Sequence, residues 1–181
     1  MGFFVPKKNG SGVIIQYKAH LVTQGFSQVP GVNYFDTFTP VAKLVLIHAI
    51  LAIAAGDDLE IHQIDIKGVY LNGELTDCKI IYMQQPPGYH TASNERLVCH
   101  LQKTLYGLKQ SGHHWYQRLV EIMMTHLKFS RSDVDQAVFF CHDKGSVTFV
   151  LVVKLERLCS RKFLDRHGKF DIRGWNRSMA L

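Results

Sequence analysis

Alternation of apolar and polar positions predicts most of the strands of this chain. Residues 12–24, GVIIQYKAHLVTQ, alternate and are rich in β-branched side chains, which predicts one or two strands. Short strands are also predicted in KIIYMQ and ERLVCHLQ, on either side of a QPPGY loop. In QAVFFCHDKGSVTFVLVV two apolar runs flank HDKGS, a pattern typical of a β-hairpin.

Helical spacing replaces alternation in two segments. Thr39 and Pro40 suit an N-cap and a first helical position, and Gly56 suits the end of that helix. Ser111 is expected to cap a second helix that runs to about Leu127. The buried faces are expected to contain Leu44, Ile47, His48, Leu51, Ala52 and Ala55 in the first helix and Trp115, Leu119, Ile122, Met123 and His126 in the second. The pattern predicts an α+β fold, in which a mainly antiparallel sheet packs with two helices.

One carboxylate interrupts an apolar strand. The segment IHQIDIKGVYLNGEL predicts a buried strand that runs into a turn at Asn72-Gly73, and Asp65 stands between two isoleucines in it. An unpaired carboxylate in apolar surroundings is costly. Asp65 is therefore expected to have a partner or a metal ion.

Composition restricts the class of protein. A chain of 181 residues with 46% hydrophobic and 20% charged residues is typical of one globular domain or slightly more. It contains no apolar run of 18 residues and no recognisable targeting signal, so no membrane association is predicted. The four widely spaced cysteines include no Cys-x-x-Cys pair, which favours free thiols in a reducing intracellular compartment, cytoplasm or nucleus.

The basic character is concentrated at the C-terminus. Residues 154–181 contain eight Lys or Arg and three Asp or Glu, whereas the preceding 153 residues contain thirteen and twelve. A basic tail can bind nucleic acid through phosphate groups. It can equally be a solvated, disordered end, and that second interpretation is the expectation here.

Five blocks of sequence resemble the reverse transcriptases of Ty1/copia-type retrotransposons, in the same order as in that family. They lie between Pro6 and Val153 and read YKAHLVTQGFSQVPGVNYFDTFTPVAKL, LEIHQIDIKGVYLNGEL, IYMQQPPGY, LVCHLQKTLYGLKQSGHHWYQRL and FSRSDVDQAVFF. A single block would be a weak signal, but five in sequence are specific. The resemblance implies a truncated fingers and palm domain of a right-hand polymerase over 1–153, followed by a basic tail, 154–181, unrelated to the family.

The resemblance also implies an activity, RNA-directed DNA synthesis with Mg²⁺, and a set of site residues. Asp65 matches the first metal ligand of the family's palm. Tyr70 matches an aromatic residue that excludes the 2′-hydroxyl of ribonucleotides, although core packing explains a tyrosine there equally well. Lys109 and Gln110 belong to the LYGLKQS block, which lines the nucleotide and template pocket. The implied partners are an RNA template, a DNA primer and deoxynucleotides.

Departures from the family pattern predict that this chain is inactive. The family has an arginine in place of His20 and a Pro-Arg pair in place of Gly112-His113. A mostly neutral histidine cannot reproduce the bidentate grip of arginine on phosphate. The family's second catalytic strand ends in an aspartate pair, whereas the matching positions here are Leu155 and Glu156.

Two further expectations follow. Asp65 should lie at the end of a central palm strand, near Val152-Val153, with no second carboxylate at bridging distance. The alternatives to an inactive polymerase domain are a residual, non-specific nucleic-acid-binding module and a pseudogene product without function.

Overall fold

The chain forms two compact units whose sequences interleave. The computed structural model describes residues 2–75, 80–91, 93, 95–143, 146–153 and 160–165. The first unit combines Met1–Phe38 with Tyr70–Trp115, and the second combines Thr39–Val69 with Tyr116–Leu181. The expected boundary after residue 153 stays a prediction. No helix in the described ranges is long and apolar enough to span a bilayer.

The first unit contains two small antiparallel sheets. Strands β1 (Gly2–Lys8) and β2 (Ile14–Leu21) form one hairpin, whose β2 residues are all exposed. β2 confirms the strand predicted in residues 12–24. The sequence did not predict β1, in which Pro6 is tolerated because a two-stranded ribbon consists only of edges.

A second, shorter pair lies within the predicted KIIYMQ and ERLVCHLQ strands. Strands β4 (Tyr82–Met83) and β5 (Cys99–His100) pair antiparallel, and the two predictions hold in a shortened form. Single turns of 3₁₀ helix at Gly25–Ser27 and Val69–Asn72 complete the local structure. The second of these occupies the turn that was predicted near Asn72-Gly73.

The second unit is a five-stranded antiparallel sheet with the order β3-β9-β8-β7-β6. Its strands are β3 (Glu60–Asp65), β6 (Ser130–Arg131), β7 (Val138–Asp143), β8 (Ser146–Val152) and β9 (Ser160–Asp165). The β7–β8 pair is the predicted hairpin. Together with two helices, α1 (Leu44–Gly56) and α2 (Ser111–Glu121), the sheets give the mixed α+β fold expected from the sequence.

The strand that contains Asp65 is not the buried central strand that the sequence predicted. Within the described sheet β3 lies at the edge, and Ile61 is 48% exposed. β9 separates β3 from β8, so residues 160–165 are part of the sheet, which contradicts the expectation of a disordered tail for this segment. An edge strand can keep apolar residues exposed on one face. The isoleucines of β3 therefore do not indicate that this strand is buried.

Helix α1 begins later and turns a different face inward than predicted. Residues 39–43 are not helical, because the Ala42 amide donates to the Val152 carbonyl (2.9 Å) and Lys43 is extended. Ile50 and Ala54 are the buried residues, whereas Leu44 is 66% exposed. The helix is apolar on almost every side, so spacing alone could not identify its buried face.

Helix α2 follows the prediction more closely. A π-helical turn, Ile122–His126, extends it almost to the predicted end. The wider turn changes the angular spacing of the side chains, which leaves His126 exposed instead of on the buried face. Ser111 does not cap the helix through its hydroxyl, which donates instead to the Leu105 carbonyl (2.6 Å).

The core of the second unit lies between its sheet and the helical segments. Its buried apolar residues include Ile50 and Ala54 of α1, Leu119 of α2, Ile122 and Met123 of the π-helical turn, Phe129, and, in β7 and β8, Val138, Phe139, Val150, Leu151 and Val152. Tyr116 is also buried, and its hydroxyl donates to the Gln136 carbonyl (2.6 Å). Burial raises the pKa of the Tyr116 phenol, and the neighbouring Arg131 opposes this rise.

Candidate functional site

Two sequence blocks that are distant along the chain lie side by side in the first unit. The backbone amide of Thr23 donates to the Tyr106 carbonyl (2.8 Å), and the Thr23 hydroxyl donates to the same oxygen (3.0 Å). Val22 and Tyr106 form a parallel bridge. These bonds fix the LVTQG segment against LYGLKQS.

The contact between these segments requires glycine on both sides. A Cβ on Gly25 would overlap the Gly107 carbonyl, and a Cβ on Gly107 would overlap the Thr23 carbonyl and lie 2.8 Å from Cγ1 of Val22. Gly107 also has φ +93°, a backbone conformation that favours glycine. Backbone therefore packs directly on backbone here.

Tyr106 is the residue that joins the predicted nucleotide-site residues. Its ring lies edge-on to the imidazole of His20, with ring centroids 5.4 Å apart, and edge-on to the ring of Tyr70, at 5.3 Å. Edge-to-face contacts at these distances are favourable. The structure thus brings His20 and Tyr70 into contact with the same aromatic ring. Tyr106 was not among the residues singled out from the sequence, although it stands within the LYGLKQS block.

Tyr70 is held through its backbone as well as its ring. The hydroxyl of the fully buried Thr104 donates to the Tyr70 carbonyl, and it is 3.3 Å from the Gly73 carbonyl. A Cβ on Gly73 would lie 2.6 Å from that hydroxyl oxygen. The Asn72-Gly73 turn is therefore shaped by close packing on Thr104.

Lys109 and Gln110 differ sharply in their surroundings. The Lys109 side chain is exposed, and its backbone amide donates to Oε1 of Gln28 (2.8 Å). Gln110 is only 4% exposed, accepts from Nε2 of Gln28 (3.0 Å) and donates to the Asn33 carbonyl (3.2 Å). Both hydrogen bonds hold Gln110 against the 28–33 loop, so its amide is engaged inside the fold.

His113, which replaces an arginine of the family, is anchored locally. Its Nδ1 lies 2.9 Å from the Phe38 carbonyl and 3.7 Å from Oδ2 of Asp36. The histidine therefore contacts the loop of the first sequence block instead of an open pocket. This contact gives His113 a structural role within the first unit.

Asp65 is the last residue of strand β3, and strand β8 ends at the same end of the sheet. Asp65 is opposite Ser160, and Val152 is opposite Arg161 on the other side of β9. Two strand spacings of about 4.8 Å place the backbones of Asp65 and Val152 roughly 10 Å apart. Asp65 was expected near Val152-Val153, and β3 and β8 do end at the same end of the sheet, with β9 between them. The Asp65 side chain lies outside the described residues, as do Leu155 and Glu156.

The described residues do not supply a second metal ligand at this end of the sheet. Asp135 precedes β7, but its carboxylate accepts the backbone amide of Ala137 (2.9 Å) and lies 3.5 Å from that of Lys43. These contacts give Asp135 a structural role. No cluster of three His, Cys, Asp or Glu occurs in the described part of the chain.

The chain matches one known protein family and is similar to several known polyproteins. Residues 3–159 match the family described as reverse transcriptase (RNA-dependent DNA polymerase). The chain is 39% identical over 137 residues, 76% of its length, to the retrovirus-related Pol polyprotein from transposon TNT 1-94 of Nicotiana tabacum. It is 38% identical over 149 residues, 82% of its length, to the corresponding polyproteins from transposons RE1 and RE2 of Arabidopsis thaliana.

The chain spans about 10% of the length of each of these polyproteins. No solved structure matches it. The family match covers both interleaved units, including the LYGLKQS block around Tyr106 and the strand that ends in Asp65. The chain therefore belongs to the reverse transcriptase (RNA-dependent DNA polymerase) family, within the group of Ty1/copia-type retrotransposons.

Proposed function

We propose that this chain derives from the fingers and palm of an RNA-directed DNA polymerase in a retrotransposon Pol polyprotein, and that it is catalytically inactive. The observation that supports this proposal most strongly is the contact of one ring, Tyr106, with both His20 and Tyr70. The resemblance assigns Tyr70 to the sugar of the nucleotide, and the family has its phosphate-binding arginine at the position of His20. Two positions of the implied nucleotide site therefore share one neighbour.

The proposed roles follow from exposure and charge. Tyr70 is half-buried and braced by Tyr106, so its ring is suited to exclude a 2′-hydroxyl by steric contact. Lys109 is exposed and is proposed to contact phosphate groups of the substrate or the template. Gln110 is proposed to have an indirect role. Gln28 hydrogen-bonds both Gln110 and the Lys109 amide, so Gln110 helps to hold Lys109 in the position from which it contacts the substrate.

Two features argue for inactivity. Reverse transcriptases use a divalent metal ion, and a two-metal site stabilises both the attacking and the leaving oxygen of the displacement. Asp65 is the one proposed metal ligand here, and Leu155 and Glu156 stand at the positions where the family has its aspartate pair. In addition, the two ring nitrogens of His20 point in different directions and cannot offer parallel donors to one phosphate, whereas arginine offers a planar fork.

Primer extension tests this proposal. The full chain is incubated with a primed RNA template, deoxynucleotides and Mg²⁺, beside the Asp65→Ala variant as the control for contaminating polymerases. We expect no extension by either protein, because each 1.4 kcal/mol of lost transition-state stabilisation lowers the rate about tenfold. Extension by the natural chain that disappears in Asp65→Ala would show an active polymerase and refute the proposal of inactivity.

A second candidate function, non-specific nucleic-acid binding, is favoured by the charge of the C-terminal segment. Residues 154–181 have a net charge of +5, but β9 belongs to the sheet, so only residues after Asp165 can be removed without losing a strand. Deleting 166–181 removes four Lys or Arg and one Asp. If this segment carries the binding, the slope of log affinity against log salt should become shallower by as much as about 3, since each phosphate contact contributes about 0.7–0.9. An unchanged slope would assign binding to the rest of the chain.

A further inference from the structure

The QPPGY loop of the first unit has no role in the proposed polymerase site. It follows strand β4 and contains two successive prolines, Pro86 and Pro87, then Gly88 and Tyr89. The residues proposed to contact a nucleotide or a metal ion lie in other segments of the chain. The conformation and the exposure of this loop therefore need a separate explanation.

The backbone of the loop forms a type II turn. The Tyr89 amide donates to the Pro86 carbonyl (3.2 Å), which closes a four-residue turn. Gly88, at the third position, has φ +89°, and the ring of Pro87, at the second position, holds its φ near about −65°. A negative φ followed by a positive φ is the combination that defines a type II turn.

This turn gives both prolines an extended, polyproline II conformation. The second residue of a type II turn has φ and ψ near about −60° and +120°, close to the polyproline II values of about −75° and +145°. Pro86 stands before a proline, and the Pro87 ring disfavours the helical region for it. Pro86 and Pro87 therefore form one short polyproline II segment that ends at Gly88.

The base of the loop is fixed to the rest of the unit. Nε2 of Gln85 donates to the Leu97 carbonyl (2.8 Å), and Tyr82 and Met83 pair with β5. A partner that binds the loop would have little chain to order. Binding of an ordered segment costs less conformational entropy than binding of a flexible one.

The tip of the loop is open to solvent. Pro87 and Gly88 are exposed, and Tyr89 is 73% exposed. A Cβ on Gly88 would meet nothing within 4 Å. Pro86 is half-buried, but both prolines line an open cavity of about 710 Å³. The prolines and the tyrosine are therefore accessible together.

We propose that residues 86–89 form a docking site for a protein domain that binds polyproline II segments in an aromatic-lined groove, as WW domains do. Such grooves hold proline rings against aromatic side chains and exploit the low entropy of a preformed polyproline II segment. Here Pro86 and Pro87 would occupy the groove. Tyr89, two residues after the second proline, offers an aromatic ring to a second pocket beside it.

Spacing and charge favour this class of partner over an SH3 domain. The P-x-x-P spacing of SH3 ligands would require a proline at position 89 or 90, where the chain has Tyr89 and His90. Residues 80–91 contain no Lys, Arg, Asp or Glu, so the loop offers no ion pair to a charged surface. Recognition must therefore depend on the proline and tyrosine rings.

The test is a calorimetric titration of the full chain with an isolated WW domain that binds Pro-Pro-x-Tyr peptides, and separately with an SH3 domain. We expect one WW domain to bind per chain and the SH3 domain not to bind. The affinity should change little with salt, because screening weakens contacts between charges and the loop has none. Absence of WW binding, or equally tight SH3 binding, would overturn the proposal.

Variants locate the binding residues. Pro87→Ala and Tyr89→Ala should each weaken WW binding at least tenfold, about 1.4 kcal/mol, because each removes one ring. Two matched controls should bind normally: Pro30→Ala, in the exposed Pro30-Gly31 turn of the same unit, and Tyr17→Ala, at a β2 residue that is 74% exposed. Circular dichroism checks that all four variants remain folded. Undiminished binding by both loop variants would refute the proposal.

A synthetic peptide of residues 83–91 separates the sequence of the loop from its conformation. Gly88→Ala strains the turn at φ +89° without a steric clash, so it should weaken binding by the full chain more than binding by the flexible peptide. Binding of the peptide without binding of the full chain would show that the fold withholds the loop, and this result would also overturn the proposal. Neither measurement depends on whether the chain can synthesise DNA.

Discussion

The contact between Gly25 and Gly107 permits a sharp stability prediction. Replacing Gly107 by alanine places a Cβ against the Thr23 carbonyl and 2.8 Å from Cγ1 of Val22, at a residue whose φ is +93°. The Thr23 carbonyl is backbone and cannot rotate away as a side chain could. The two segments must therefore separate, and the two hydrogen bonds that the Tyr106 carbonyl accepts from Thr23 are lost or weakened.

The magnitude follows from the separate contributions. A left-handed conformation costs an alanine about 1–2 kcal/mol relative to glycine. Loss of two hydrogen bonds adds about 0.5–1.5 kcal/mol each. Gly107→Ala should therefore lower the free energy of unfolding by roughly 2–5 kcal/mol, a large fraction of the ~5–15 kcal/mol that is usual for a domain.

Gly31→Ala is the matched control. Gly31 also has a positive φ, +76°, but a Cβ there would meet nothing within 4 Å. It should lose only the conformational contribution of about 1–2 kcal/mol. Urea unfolding followed by circular dichroism measures both variants. If they are equally destabilised, the close backbone packing and the bracing of Tyr106 that depends on it are not as described.

Two further variants test particular contacts. Thr104→Val keeps the side-chain shape but removes the hydroxyl that holds the Tyr70 and Gly73 carbonyls, so thermal or urea unfolding should show a loss of about 1–3 kcal/mol. Tyr116 has a raised pKa in the fold, so its contribution to stability is fully present below the unfolded-state pKa of about 10 and is lost as the pH rises through the folded-state value. Tyr116→Phe should therefore remove part of the stability decline that sets in as the pH rises above about 10, and an unchanged pH profile would contradict the burial of a neutral phenol.

The sequence predicted the elements that have strong local signals. The β7–β8 hairpin, β2 and helix α2 all appear where apolar spacing placed them. Helix α1 shows where such spacing fails, because a helix that is apolar on nearly every side has no distinctive face. Its start was also misplaced, since the bond from Ala42 to Val152 is tertiary and leaves no trace in the local sequence.

The candidate site was only partly accessible from the sequence. His20 and Tyr70 could be proposed from the family resemblance, but the role of Tyr106 depends on a fold that brings residues 20, 70 and 106 together. The order of the strands in the sheet was the other feature that the sequence did not predict. Nothing in the sequence of 160–165 shows that this segment would pair with both β3 and β8, because pairing between strands distant in sequence is decided by the whole sheet.

The geometry proposed for Asp65 depends on that strand order, and cross-strand backbone NOEs measure it directly. With β9 between β3 and β8, NOEs should connect Asp65 with Ser160 and Val152 with Arg161. Asp65 would then be roughly 10 Å from the end of β8, at the same edge of the sheet. NOEs that connect β3 directly with β8 would contradict this account, because they would bring Asp65 beside Val152-Val153.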